Sequence, residues 1–238
     1  MIIEDDGIIL SVKEFEERYL VTHCFLRQNG LMAGIVRRSK STKTDCVPGN
    51  IVHATWKARL REQLGHYQFD LQKNTFASVI FYRLTLALFR SALAMTHIVL
   101  HEKERQIELF DILQDFLLSV HHDDPGLLYK KYVGLELCIL KTSGFGLSLD
   151  KCAVTGTVEN LSYISPKSGA IVTNEVGVCY SDKVIKAPTG LLNHVQSITL
   201  TEMLQCLNVT SFFIEKNILN NLGKKMPFAR SSLLELLV

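Results

Sequence analysis

The chain lacks the short motifs that carry most enzyme chemistry. It has no GxxxxGK(S/T) loop, so no backbone cradle closed by a lysine is ready for a nucleotide phosphate. It also has no GxGxxG turn, no GxSxG nucleophile elbow and no HExxH helix. The six cysteines (Cys24, Cys46, Cys138, Cys152, Cys179 and Cys206) form no CxxC pair. The opening Met-Ile-Ile-Glu-Asp-Asp has acids where a secretory leader needs basic residues, so free thiols in a reducing cytoplasm are expected. Long apolar runs are missing too. The most apolar stretch, Ser78–Leu100, is interrupted by Arg83 and Arg90, and a charge at a bilayer centre costs about 2.5–3.5 kcal/mol. These absences point to a binding protein with no catalytic residues, no cofactor, no metal and no membrane span.

What is present is ample core-forming material: 47% of the 238 residues are hydrophobic. The formal charge of +2 announces no partner by itself, so its distribution matters more. Arg27, Arg37, Arg38, Lys40, Lys43, Lys57, Arg59 and Arg61 fall within 27–61 against one acid, Asp45, while the preceding segment is acidic.

The first stretch, 1–75, reads as five short strands: Gly7–Lys13, Arg18–Leu26, Leu31–Arg38, Ile51–Arg61 and His66–Leu71. Asn29-Gly30 signals a hairpin, since both residues tolerate positive φ. Five strands in so short a segment suit a small closed barrel, which leaves no exposed edges. In the fourth strand, Val52, Ala54, Trp56, Ala58 and Leu60 share one face by the two-residue period, and His53, Thr55, Lys57, Arg59 and Arg61 share the other. Trp56, the only tryptophan, is thus expected in the core.

From Phe76 the period becomes helical. Ile107, Phe110, Leu113, Leu117 and Val120 recur at three- and four-residue spacing, and Asp123-Asp124-Pro125-Gly126 stops that helix and caps the next, Leu127–Thr142. Residues 144–190 are richer in Gly, Ser, Thr and Pro, with a hairpin expected around Pro166–Gly169. Residues 191–238 return to helix, with Thr201 as candidate N-cap and Met203, Leu207, Phe212, Ile214, Ile218 and Leu222 as the apolar face. The fold class is α+β: an N-terminal barrel (1–75), a helical domain (76–143), a β-rich insertion (144–190) and C-terminal helices completing the helical part (191–238).

Two sets of residues carry candidate chemistry. His97 and His101 are four apart, a spacing that puts two imidazoles on one helix face, but no third ligand follows them. His121-His122 suit a helix C-terminus, where the dipole favours a cation. The basic residues weigh more. Neighbours among Lys57, Arg59 and Arg61 on one strand face would stand about 6–7 Å apart, comparable to phosphates along an extended strand. Arg37, Arg38, Lys40 and Lys43 lie at or beyond the end of the third strand. Together they make either a sequence-independent nucleic-acid groove or a solvated polar face. Base-stacking aromatics are scarce in the same stretch, which favours phosphate contacts.

The order of segments resembles the RecO family. Gly7-Ile-Ile-Leu-Ser-Val, Gly30-Leu-Met-Ala-Gly-Ile-Val-Arg-Arg-Ser-Lys-Ser and Pro48-Gly-Asn-Ile-Val-His-Ala-Thr-Trp-Lys-Ala-Arg-Leu-Arg-Glu-Gln-Leu-Gly are similar to its N-terminal part, the last of them to its alphaproteobacterial branch. Gly144–Gly156, Tyr163–Gly169 and Lys224–Arg230 resemble the entry to its insertion and its closing Pro-x-x-Arg stretch. The resemblance implies an OB-fold, a helical domain and a small zinc-ribbon-like insertion. It implies binding of single- and double-stranded DNA, strand annealing, and cooperation with RecR in loading RecA. It also implies binding to the C-terminal tail of single-strand-binding protein, for which Arg83, Arg90 and Lys130 are candidates. The DNA contacts it implies are Arg37, Arg38, Lys40, Lys43, Lys57, Arg59 and Arg61. Arg230 has a counterpart that serves either function or helix packing. The insertion departs from the zinc-binding pattern: Cys152 is followed by Thr155 and Cys179 by Asp182, where zinc-binding members have two CxxC pairs, so no zinc is expected. The alternative to a recombination mediator is an OB-fold adaptor for protein or RNA.

Overall fold

Alternating apolar residues in the first segment form a sheet that closes on itself. In the computed structural model these strands are β1 (Ile2–Phe15), β2 (Tyr19–Leu26), β3 (Gly30–Arg37), β4 (Ile51–Lys57) and β5 (Gly65–Lys73), with a single helical turn, α1 (Thr42–Asp45), between β3 and β4. The structure describes residues 1–238 except 40, 41, 61, 62, 122, 123, 181, 182, 193, 194 and 238, and the side chains of 42, 43 and 121 also lie outside the description. The strand order is β1-β2-β3-β5-β4, closed into a barrel, with β3 and β5 parallel and the other pairs antiparallel. This is the five-stranded topology of an OB-fold.

β1 is long enough to pair with β2 at one end and β4 at the other, and an irregularity between Ile9 and Ser11 lets it bend. The barrel is filled by Ile9, Leu26, Met32, Val36, Val52, Ala54 and Trp56, among others. Trp56 is 1% exposed, and its indole N–H donates to the carbonyl of Ala33 at 3.1 Å. It is a core residue, as its place in the alternation predicts. The β2–β3 hairpin turns through Arg27–Asn29, and only Gly30 takes a positive φ, +71°. The buried carboxylate of Asp5 accepts from the backbone N–H groups of Gln28 and Asn29 (2.8 and 3.1 Å), which satisfies the turn.

The apolar alternation of the fourth strand outlasts the strand. β4 stops at Lys57, and Leu60 is 54% exposed in the connection to β5. The chain must reverse there so that β5 can start at Gly65, the one residue type that fits under the indole. A Cβ on Gly65 would sit 2.2 Å from Trp56 Cε2. Arg59 therefore does not share a strand face with Lys57, contrary to the period.

One compact unit comprises Met1–His121 with Pro227–Leu233. Beside the barrel it holds α2 (Phe76–Val79), α3 (Arg83–Val99), α4 (Ile107–Leu118) and a 3-10 turn (Ser119–His121). Phe110, Leu113 and Leu117 form the buried stripe of α4 that the spacing predicts. Phe110 meets Phe25 of β2 edge-on at 5.3 Å between centroids. Arg27, in the hairpin turn, clasps Asp111 of α4 through Nε–Oδ1 (2.8 Å) and Nη2–Oδ2 (3.0 Å).

The other unit comprises His122–Met226 with Leu234–Val238. Its first helix is α5 (Pro125–Thr142), capped by Asp124 accepting from Gly126 N at 2.8 Å. The insertion folds into a small sheet of order β7-β6-β8, from β6 (Leu161–Ile164), β7 (Ile171–Thr173) and β8 (Ile185–Lys186), with the short helix α6 (Asn174–Val178) between the last two. α7 (Leu200–Ile214) then runs through a π-helical turn (Glu215–Leu219) into α8 (Asn220–Leu222), which ends at Gly223 with φ +61°. The last helix, α9 (Phe228–Leu237), contributes residues to both units.

Thr199, not Thr201, caps α7. Its hydroxyl accepts from Glu202 N (3.2 Å), while the Glu202 carboxylate accepts from Thr199 N (2.9 Å). That reciprocal box needs a glutamate three residues on, which Thr199 has and Thr201 does not. The buried face of α7 runs through Met203, Leu207, Thr210, Phe213 and Ile214, so the expected Phe212 falls off it and is 39% exposed. Between α5 and α7, the buried Glu136 carboxylate accepts from the Thr210 hydroxyl.

Candidate nucleic-acid interface

The strand order decides where the basic residues stand. β5 lies between β3 and β4, so the cations of those two strands flank its outward face of His66, Gln68 and Asp70. Ile35, His66 and Lys57 form one row across the three strands. Arg37 lies two residues beyond that row, about 7 Å along the strand direction. Arg37, Arg38, Lys57 and Arg59 are all exposed; Arg37 and Lys57 stand on a diagonal across this part of the barrel, and Arg59 lies in the connection just beyond β4. The Lys43 side chain, Lys40 and Arg61 lie outside the described residues.

Arg38 is not idle. Its guanidinium pairs with Glu14 of β1 at 2.6 Å, and its backbone N–H donates to Arg18 O at 2.9 Å. Glu14 is 84% exposed at the side chain, so this is a screened surface pair that a phosphate can compete with.

Beside these arginines the barrel wall opens. β3 and β5 pair only at Gly34–Gly65 and Ile35–His66. Beyond those residues the strands part, leaving a cleft of about 690 Å³ lined by Arg37, Arg38, Asp45, Tyr67, Phe69 and Asp70, among others. Tyr67 and Phe69 stack in it with centroids 4.8 Å apart and planes 23° apart. Tyr67 is buried, its hydroxyl donating to Met32 O at 3.2 Å, and burial pushes its ionisation well above the ordinary tyrosine range. Phe69 is only partly buried. This pair lies outside the basic stretch; its signal in the sequence is the inward alternation of Tyr67 and Phe69 in the fifth strand.

The other candidate chemistry is rearranged. α3 ends at Val99, so His101 lies beyond the helix and does not share a face with His97. His97 instead meets His23 of β2, ring centroids 4.9 Å apart. Burial lowers the His23 pKa, the nearby Lys13 lowers it further, and Glu102 opposes them. Among the described residues no three His, Cys, Asp or Glu side chains gather where a metal ion would be held.

The donors of the insertion do not fit zinc. Cys152 is 1% exposed, and its Sγ accepts the Thr155 backbone N–H at 3.4 Å. Burial raises this thiol, but hydrogen bonds from the Thr155 side chain and from backbone groups of Thr155, Val154 and Thr173 outweigh that and bring it to about 6. Cys179 is exposed and its Sγ donates to Glu175 O at 3.6 Å; Asp182 lies outside the described residues. One inward thiol knuckle and one outward cysteine are half of a tetrahedral set.

Of the candidate cations for a peptide-tail site, Arg83 and Arg90 are exposed on α3, and exposed Ile80, Phe81 and Tyr82 immediately precede Arg83. Lys130 is engaged, donating to the carbonyls of Gly190 (2.7 Å) and Leu192 (3.0 Å). Arg230 is fully buried on α9, which places it in packing rather than on a surface. No helix among the described residues is long and apolar enough to cross a membrane.

An OB-type barrel with a diagonal of cations beside an aromatic cleft, followed by a helical domain with a small β insertion, defines the class: an α+β protein built around an oligonucleotide-type barrel. Comparison with known proteins narrows this. Residues 1–73 match the family model described as Recombination protein O N terminal, and residues 81–226 match Recombination protein O C terminal. The DNA repair protein RecO of Rickettsia bellii is 33% identical over 222 residues, covering 93% of this chain and 91% of that one. The RecO of Wolbachia pipientis is 33% identical over 236 residues, with 97% of each chain covered. That of Rickettsia akari is 33% identical over 234 residues, covering 98% and 96%. The chain belongs to the RecO family of DNA repair and recombination proteins.

Proposed function

We propose that this protein is a recombination mediator that performs no catalytic step. It binds single- and double-stranded DNA, anneals complementary strands and, with RecR, helps load RecA on DNA coated with single-strand-binding protein, in the cytoplasm at the nucleoid. The observation that carries this reading is the exposed set of Arg37, Arg38, Lys57 and Arg59 on an OB-type barrel. Four exposed cations suit contact with phosphates of any sequence. Exposed Ile80, Phe81 and Tyr82 beside Arg83 support a site for the acidic, apolar tail of single-strand-binding protein.

The test is annealing of complementary strands coated with single-strand-binding protein, with and without its C-terminal tail. Acceleration that depends on the tail is the expected result. No acceleration at any protein concentration would refute the mediator reading and favour an adaptor for protein or RNA.

A further inference from the structure

The cations described above explain phosphate binding but leave the cleft beside them without a role. We propose that the cleft between β3 and β5 receives one unpaired nucleobase of single-stranded DNA, stacked on Phe69. This rests on the DNA-binding reading and adds to it a preference for single strands.

The lining of the cleft suits a base better than a phosphate. About 690 Å³ lies in the range of small-molecule sites and exceeds what one planar base needs. Tyr67 and Phe69 already form a stack at 4.8 Å and 23°, and a base on the partly buried Phe69 ring extends it. A phosphate inside the cleft would meet the carboxylates of Asp45 and Asp70, which line it. Those same carboxylates, as acceptors, suit the amino hydrogens of a base edge. Arg37 and Arg38 also line the cleft, where they can hold the phosphates flanking an inserted nucleotide. A paired base is held inside its duplex and would have to be flipped out to enter, so duplex DNA gains only the arginines.

The experiment measures full-length wild type, F69L, F69W and the double variant Arg37→Glu, Arg38→Glu by fluorescence anisotropy on a 25-nucleotide single strand and the matched duplex. Leucine keeps an apolar filling without the π face; tryptophan keeps the face. Stacking of one base accounts for about five-fold to 150-fold in affinity. F69L is therefore expected to lose at least about five-fold on the single strand with duplex affinity unchanged, and F69W to retain single-strand affinity. A strand carrying 2-aminopurine should be quenched by wild type and F69W and not by F69L. Emission of the buried Trp56 checks the fold of F69L; should that variant not fold, the quenching by wild type and F69W decides. Equal losses on both DNA forms, no loss on either, or absent quenching overturns the base site. In those cases a two-form loss in the arginine double variant leaves the DNA-binding reading standing. Wild type binding neither form overturns both.

Discussion

The exposed cations predict a salt dependence that can be worked out beforehand. Reversing Arg37, Arg38, Lys57 and Arg59 to Glu removes four exposed cations without touching the barrel core. If each neutralises one phosphate, the slope of log K against log salt for single strands should flatten by about 2.8, at about 0.7 per contact. Between 50 and 200 mM salt that slope amounts to about 50-fold in affinity, so wild type and variant should converge as salt rises. Lys40, Lys43 and Arg61 remain in the variant and hold any residual slope. Arg38 offers an internal control. Its partner Glu14 is 84% exposed at 2.6 Å, a pair worth about 0.2–1 kcal/mol. Glu14→Gln frees the guanidinium and should tighten binding by up to about five-fold at low salt. The assay is anisotropy of a labelled oligonucleotide across a salt series. A quadruple variant with unchanged affinity and slope would show that the DNA path lies elsewhere.

Two further outcomes follow from local structure. Thr199→Ala removes half of the capping box on α7 and should cost about 1 kcal/mol, read as a lowered Tm. The Glu202 carboxyl is held below its ordinary value by hydrogen bonds from the Thr199 backbone, the Thr199 hydroxyl and Thr189. Its stabilisation is present above the unfolded-state value and is lost as pH falls below it, so the Tm gap between wild type and Thr199→Ala should narrow in acid. A gap constant down to pH 3 would contradict the box. His23 is held neutral by burial and by Lys13, against Glu102, with Ser11 and His97 also facing its ring. Stability from the neutral form is present above the unfolded value of 6.5 and lost as pH falls below it. His23→Gln should therefore show a smaller drop in Tm between pH 7.5 and 5.5 than wild type, and an equal drop would contradict this.

How far the sequence revealed these features depended on whether the determinant was local. The two-residue period placed Val52, Ala54 and Trp56 inside the barrel because alternation along one strand is set by that strand alone. The same period still holds at Ala58, which packs against the core, and fails at Leu60, where the strand has ended. Beyond it the chain returns to pair β5 with β4, Gly65 lying against the Trp56 indole, and no pattern within 51–61 records that contact. The α7 cap is local and legible: Thr199 and Glu202 stand three apart, a spacing that Thr201 lacks. The cleft was not legible in this way. It exists because two segments some thirty residues apart pair over only two residues and then diverge, leaving Phe69 partly uncovered. The basic residues were visible as a set, but their meaning changed with strand order. β5 comes between them, so the surface that DNA would meet is not a line of lysines and arginines along one strand. It is a diagonal of cations crossing an outward strip of His66, Gln68 and Asp70, with an aromatic cleft at one end. A uniform cationic strip would attract single and double strands alike, whereas a cleft with carboxylates and a stacking ring gives the barrel a means of telling them apart.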